Sequence, residues 1–106
     1  MRKEFAEQVE EIIASDNKTV FITCDLGFSA LENIRDSAKE RFINAGIAEQ
    51  NSIGVAAGLA FKGHEAFVYN IASFAVLRCL EQIKIDVCLH NLPVYIVGNG
   101  GGYGYG

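Results

Sequence analysis

The sequence predicts an α/β fold in which a parallel sheet is covered by helices. Segments of helical spacing alternate with short β-branched runs, in the order helix, strand, helix, strand, helix, strand. The strand-like runs are continuously apolar, as expected of strands buried on both faces. At 106 residues and 50% apolar content, the chain has room for one domain with a modest core.

Phe5, Val9, Ile12 and Ile13 recur at i, i+4, i+7 and i+8 among Glu and Lys, so residues 2–14 read as an amphipathic surface helix closed by Ser15-Asp16-Asn17-Lys18. Residues 19–24 are β-branched and apolar and form a buried strand that ends at Asp25-Leu26-Gly27. A loop follows, with a short helix around residues 30–34. The charged run 35–41 is most simply a solvated segment, and Phe42-Ile43-Asn44 is a short strand. Residues 48–62 are small and apolar and predict a helix buried over most of its surface. Lys62 places a cation at its C-terminal dipole and Gly63 supplies a C-cap. Ser52, Ala56, Ala60 and Gly63 form a nearly flat ridge, which favours close packing within the chain over an interface.

Residues 66–71 are the next strand. Ser73 is positioned to cap a long helix that ends near His90, with Leu77, Leu80, Ile83 and Val87 at three- and four-residue spacing. Pro93 opens the last strand, 94–97. The glycine-rich end from Gly98 to Gly106 lacks G-x-G-x-x-G spacing, a following Lys-Ser/Thr and a following helix, so it reads as a tail or unfinished loop rather than a phosphate cradle. A fold of this class rarely stops directly after a buried strand, so the chain is expected to be a fragment or a subunit with an unusual end.

The longest apolar runs are strand-sized, and no membrane-spanning segment is expected. The charged N-terminus lacks the features of a secretory signal, which makes cytoplasmic localisation the expectation. A net charge of −4 with nine scattered basic residues argues against nucleic-acid binding. Cys24, Cys79 and Cys88 form neither a metal-like pair nor an even set, and are expected to be reduced core thiols, with Cys79 and Cys88 on opposite faces of one helix. His64 and His90 read as solvated surface residues.

Glu49 is the residue that calls for chemistry, because it is a lone acid at the head of an apolar helix. A carboxylate there can serve the positive end of the helix dipole. It can equally be a partly buried carboxyl group that holds a proton for a ligand nitrogen. Residue physics leaves both readings open.

The segment from Arg41 to about Gly106, with Asp25-Leu26-Gly27 before it, resembles the pyrimidine-binding domain of transketolase-like, thiamine-diphosphate-dependent enzymes. Split transketolases and 1-deoxyxylulose-5-phosphate synthase belong to this group. The likeness is carried by residues 42–51 (Phe-Ile-Asn-Ala-Gly-Ile-Ala-Glu-Gln-Asn), by 56–60, by 70–74, by 78–83 and by Leu92-Pro93-Val94. It implies an incomplete pyrimidine-binding domain over residues 1–106, with no diphosphate-binding domain and no transketolase C-terminal domain in this chain. It assigns Glu49 to the ring nitrogen of the cofactor's aminopyrimidine, where sharing a proton activates thiamine diphosphate as a carbon nucleophile. Phe74 is implied as the ring that stacks on the pyrimidine, with Tyr69 a weaker second candidate. Arg78 matches an arginine of relatives and is assigned to structural or interface contacts.

The implied function is transfer of a two-carbon ketol or related unit between ketose or 2-keto-acid and aldehyde substrates. Two departures affect sugar-phosphate specificity: Asn70-Ile71-Ala72 stands where many relatives have Thr-Phe-Ala, and Asn99-Gly100-Gly101-Gly102 where many have Thr-His-Ala-Gly. The Gly-Asp-Gly motif and downstream Asn that hold Mg²⁺ in the family do not occur here. Mg²⁺ and most cofactor affinity are therefore expected from a partner chain or missing domain, in a homo- or hetero-oligomer, with the isolated chain inactive. The alternative is a noncatalytic interaction module or truncated remnant of such an enzyme.

Overall fold

The computed structural model describes residues 1–27 and 29–104. Phe28 and the last two residues of the glycine-rich end lie outside them. Helix α1 (Arg2–Ser15) leads into β1 (Thr19–Thr23), followed by α2 (Glu32–Ala38), a 3₁₀ turn (Lys39–Arg41) and β2 (Phe42–Asn44). Then come α3 (Glu49–Phe61), β3 (Glu65–Ile71), α4 (Ala72–Val76), α5 (Leu80–Gln82) with a π-helical turn (Ile83–Cys88), and β4 (Val94–Asn99).

The four strands form one parallel sheet in the order β2-β1-β3-β4. The expected α/β fold is therefore present, and β1 lies inside the sheet with all five of its residues buried. On one face, Val20, Ile22, Ala66 and Val68 pack with Ile53, Ala56 and Ala57 of α3 and with Cys79 and Val87. On the other, Phe21 and Tyr69 pack with Val9 and Ile13 of α1 and with Leu31, Ile34 and Ala38. Alternate strand residues point to opposite faces, so the two cores are built from interleaved positions of the same strands.

Helix α3 is buried along one side. Ser52, Ala56 and Ala60 are covered, as close packing within the chain requires, whereas Gly63, the fourth residue of the expected ridge, lies past the helix end and is exposed. Its other side is open at Gln50, Asn51, Gly58 and Phe61, so the helix is less enclosed than its composition suggests. Small residues suit a tight contact on the sheet, but they do not specify cover on the far side.

Three expectations need correction. The short helix expected around 30–34 instead runs from Glu32 to Ala38, because Ile34 and Ala38, one turn apart, are buried and fold α2 against α1, while most of the charged run 35–41 stays exposed as expected. Within it, the Arg41 guanidinium donates to the carbonyls of Asp16 (2.7 Å), Thr19 (3.0 Å) and Ile13 (3.0 Å). The long helix from Ser73 is also interrupted, between α4 and α5, and Ser73 makes no cap because Ile71 stands at the N-cap position. After the break, Leu89 N–H reaches the Lys84 carbonyl five residues back at 3.0 Å. Cys79 and Val87, which a regular helix would set about 80° apart, thereby share one core. Finally, Cys24 and Cys79 are buried, but Cys88 is exposed on the outer side of that wide turn.

Strand β4 runs to Asn99, two residues beyond the expected end. Gly98 is needed there, because a Cβ would sit 2.9 Å from the Cβ of Ala72 at the start of α4. No helix among the described residues is long and apolar enough to cross a membrane.

Candidate functional site

The carboxyl ends of β1, β2 and β3 open onto the start of α3, the position at which parallel α/β sheets present ligand-binding groups. Asn44, the last residue of β2, fixes the geometry. Its Oδ1 accepts from the Asp25 N–H at 2.9 Å and from the Gly46 N–H at 3.0 Å, tying the loop after β1 to the turn before α3. Gly46 turns the chain with φ of +71°, a conformation that costs glycine little. Asp25 adopts φ of +53°, which is uncommon for a residue with a side chain. Helix α3 then starts with Ser52 N–H donating to the Ala48 carbonyl at 2.9 Å.

Glu49 opens this helix and is only 6% exposed. Its Oε2 lies 3.1 Å from Nη1 of Arg78, whose side chain is 46% exposed. The same guanidinium lies over the Phe74 ring, with Cζ 4.1 Å from the centroid. Gln50 Nε2 donates to the Arg78 carbonyl at 2.9 Å and anchors the Arg78 backbone to the head of α3. Glu49, Phe74 and Arg78 thus form one cluster although their sequence positions span the whole of β3. Glu49 lies in the first turn of α3, at the positive end of the helix dipole, and its carboxylate also engages Arg78 across the fold, so the dipole reading and the ligand reading both remain compatible with this geometry.

Cys79 lies beneath the cluster. Its thiol donates to the Phe74 carbonyl at 3.2 Å, supporting the backbone that carries the ring. Burial pushes the thiol pKa upward, and the negative charge of Glu49 and the neighbouring Cys24 add to the rise, while Arg78 opposes it. The thiol is therefore held protonated and serves as a donor.

The structure does not bring Tyr69 into this cluster. Its ring belongs to the core under α1, stacked on Phe5 at a centroid distance of 5.8 Å and tilted against Phe21 at 6.0 Å. Strand alternation is the reason: Tyr69 points to one face of β3 while Val68 and Asn70 point to the other. Asn70, which in the sequence stands out only as a departure from relatives, is a further polar group at this sheet end. It is 1% exposed, its Oδ1 accepts from the Ile71 N–H at 2.9 Å, and its Nδ2 has no partner. The signal available was an amide side chain in an otherwise apolar strand.

A cavity of about 280 Å³ opens nearby at the ends of β1 and β2, where Thr23, Asn44, Glu32 and Arg35 supply polar groups and Leu26, Leu31 and Phe42 apolar ones. His64 and His90 stand apart from both features. Their Nδ1 atoms lie 3.0 Å from the carbonyls of Lys18 and Ile85, respectively. Among the described residues, no group of three or more His, Cys, Asp or Glu is arranged to hold a metal ion.

Chemically, the cluster offers a buried carboxylate and an aromatic face within reach of one side chain. One guanidinium meets both, bonding the carboxylate through Nη1 while its Cζ lies over the ring. An aminopyrimidine ring has the same two requirements: a face to stack and an edge nitrogen to bond.

Comparison with known proteins places these features in context. The family described as "Transketolase, pyrimidine binding domain" matches residues 1–106. One subunit of the apulose-4-phosphate transketolase of Phocaeicola vulgatus is 40% identical over 108 residues, covering 99% of this chain and 34% of that protein. 1-Deoxy-D-xylulose-5-phosphate synthase of Clostridium perfringens (strain SM101 / Type A) is 35% identical over 91 residues, covering 85% of this chain and 14% of the enzyme. A solved structure described as "Split gene transketolase, inactive beta4 tetramer" superposes with a TM-score of 0.81 at 37% identity, over 92% of this chain and 33% of that one. The chain spans about a third or less of the length of these relatives.

Proposed function

Since the chain belongs to the transketolase pyrimidine-binding domain family, we propose that it supplies the pyrimidine-activating half of a thiamine-diphosphate site. The observation that carries this reading is the buried Glu49 carboxylate beside the Phe74 ring at the carboxyl end of a parallel sheet. Thiamine diphosphate, when bound, supplies a carbon nucleophile that carries a two-carbon ketol or related unit from a ketose or 2-keto acid to an aldehyde.

Glu49 shares a proton at the ring nitrogen of the aminopyrimidine. Burial makes this effective, because water is kept from competing for the proton. Phe74 stacks on the ring and sets its plane, and the Cys79 thiol holds the Phe74 backbone in position. Asn70, with an unpartnered amide, is available to bond a water or ligand oxygen at the same sheet end. The diphosphate and its Mg²⁺ are held by a diphosphate-binding domain on another polypeptide or another part of a longer protein, and the chemistry requires that partner. The substrate is a small sugar or keto acid.

Calorimetric titration of thiamine diphosphate and Mg²⁺ into the chain, with and without the diphosphate-binding polypeptide, tests the proposal. The partnered protein is expected to bind and turn over. Glu49→Gln is expected to keep the fold, judged by circular dichroism, and to lower turnover by about 10²-fold or more. If the partnered Glu49→Gln protein binds and activates cofactor as well as the unmodified one, the role given to Glu49 is wrong. A second reading, a noncatalytic interaction module, draws on the exposed Phe61, Leu77 and Leu80. Association with a partner but no cofactor binding in the assembled complex is the result that favours it.

A further inference from the structure

Arg78 occupies the two contacts that the pyrimidine reading reserves for the cofactor. Its Nη1 takes the Glu49 carboxylate at 3.1 Å, and its Cζ lies 4.1 Å from the Phe74 centroid. A ring cannot stack on that face of Phe74 and bond Glu49 while the guanidinium remains. We propose that Arg78 is a displaceable placeholder, a planar cation that fills the pyrimidine berth in the cofactor-free protein and swings out when cofactor enters. The inference rests on the pyrimidine reading of Glu49 and Phe74.

Three features of the side chain fit this role. Guanidinium is flat and donates from its edge, so among side chains it best imitates an aromatic ring that carries edge N–H groups. Its anchorage is divided: the Arg78 backbone is held by Gln50 at 2.9 Å, while the side chain remains 46% exposed and has solvent to move into. The exchange also removes an electrostatic difficulty. A carboxylate as buried as Glu49 is costly to leave without a partner, and Arg78 provides one until the cofactor arrives. Leu77, just before the arginine, is 75% exposed, while Cys79, just after it, is fully buried, so the backbone is held on the core side and the side chain lies at the surface.

A placeholder competes with the ligand it imitates, and removing it has a signature that a structural or ligand-binding arginine does not share. In the complex with the diphosphate-binding polypeptide, Arg78→Met keeps the aliphatic stem and deletes the planar cation. Thiamine diphosphate with Mg²⁺ is expected to bind this variant about three- to tenfold more tightly, while the cofactor-free complex melts at a lower temperature. In the unmodified complex, the Arg78 Cδ and Nε proton resonances, shifted by the Phe74 ring, should move toward ordinary arginine positions as cofactor is titrated. Unchanged or weaker binding by Arg78→Met, or resonances that stay fixed at saturation, overturns the proposal. Phe74→Ala and Glu49→Gln separate the two levels. If the first weakens cofactor binding and the second abolishes activation while Arg78→Met binds no more tightly, the placeholder fails and the pyrimidine reading stands. If neither variant has its effect, both fail together.

Discussion

Glu49 and Cys79 share a buried corner, and the carboxylate helps to set the condition of the thiol. A carboxylate beside a thiol disfavours the thiolate, and burial does so more strongly, so Cys79 holds its proton above a free thiol's ordinary value of 9.0. The consequence for stability has a definite sign. The contribution is complete below the pKa of the unfolded thiol and is lost as pH rises through the higher folded value. Unfolding free energy measured by denaturant between pH 8 and pH 11 should therefore decline in part through this thiol, and Cys79→Ala should remove that part of the decline. A disulfide exchange reagent at pH 8 should modify the exposed Cys88 well before the buried Cys24 and Cys79. At this scale the sequence revealed the acid at a helix head and the aromatic ring near the end of a strand. It concealed the link between them. Arg78 lies 29 positions after Glu49, and no helical or strand period relates residues joined only by the way β3 and α4 fold back.

Elements were legible where one period ran uninterrupted and obscure where a tertiary contact broke it. Helix α1 and strands β1 and β3 follow from their apolar spacing, and their observed bounds differ from the expected ones by a residue. The segment after Ile71 reads as one helix because Leu77, Leu80, Ile83 and Val87 keep helical spacing. In the fold, Leu77 and Leu80 are exposed while Cys79 is buried, so the core selects a different face and the backbone breaks to present it. Tyr69 lies apart from the Glu49 cluster for a related reason: being one residue from Asn70 along a strand puts it on the opposite side of the sheet. Arg41 shows how a charged run becomes structural. Its three donations close the carbonyls at the end of α1 and the approach to β1, where a cation also meets the negative end of the helix dipole. Arg41→Ala should lower stability by about 2–3 kcal/mol in chemical denaturation. Arg41→Lys should recover only part of the loss, since an ammonium cannot span the three acceptors as a planar fork does. Little or no loss in Arg41→Ala would mean that water replaces the guanidinium without cost.

For the whole molecule, the order β2-β1-β3-β4 was not deducible from the sequence of strands, because helix–strand alternation implies parallel pairing but not which strand lies inside. The layering nevertheless determines which surfaces remain uncovered. Phe61 is 71% exposed, Leu80 60% and Leu89 76%, all on elements of the α3 side of the sheet. Apolar groups this open on a small domain promote association. Sedimentation velocity should detect concentration-dependent self-association of the chain, and Phe61→Ser with Leu80→Ser should reduce it without lowering the melting temperature. A fully monomeric chain at high concentration would contradict this expectation. The sheet has a second asymmetry. Its β2 margin offers only three residues, whereas β4 offers six, with Tyr95 45% exposed. Strand margins left unpaired among the described residues can template further pairing, and short ones do so less readily. Growth of this sheet is consequently directional: another strand, from any source, finds twice as many rungs beyond β4 as beyond β2.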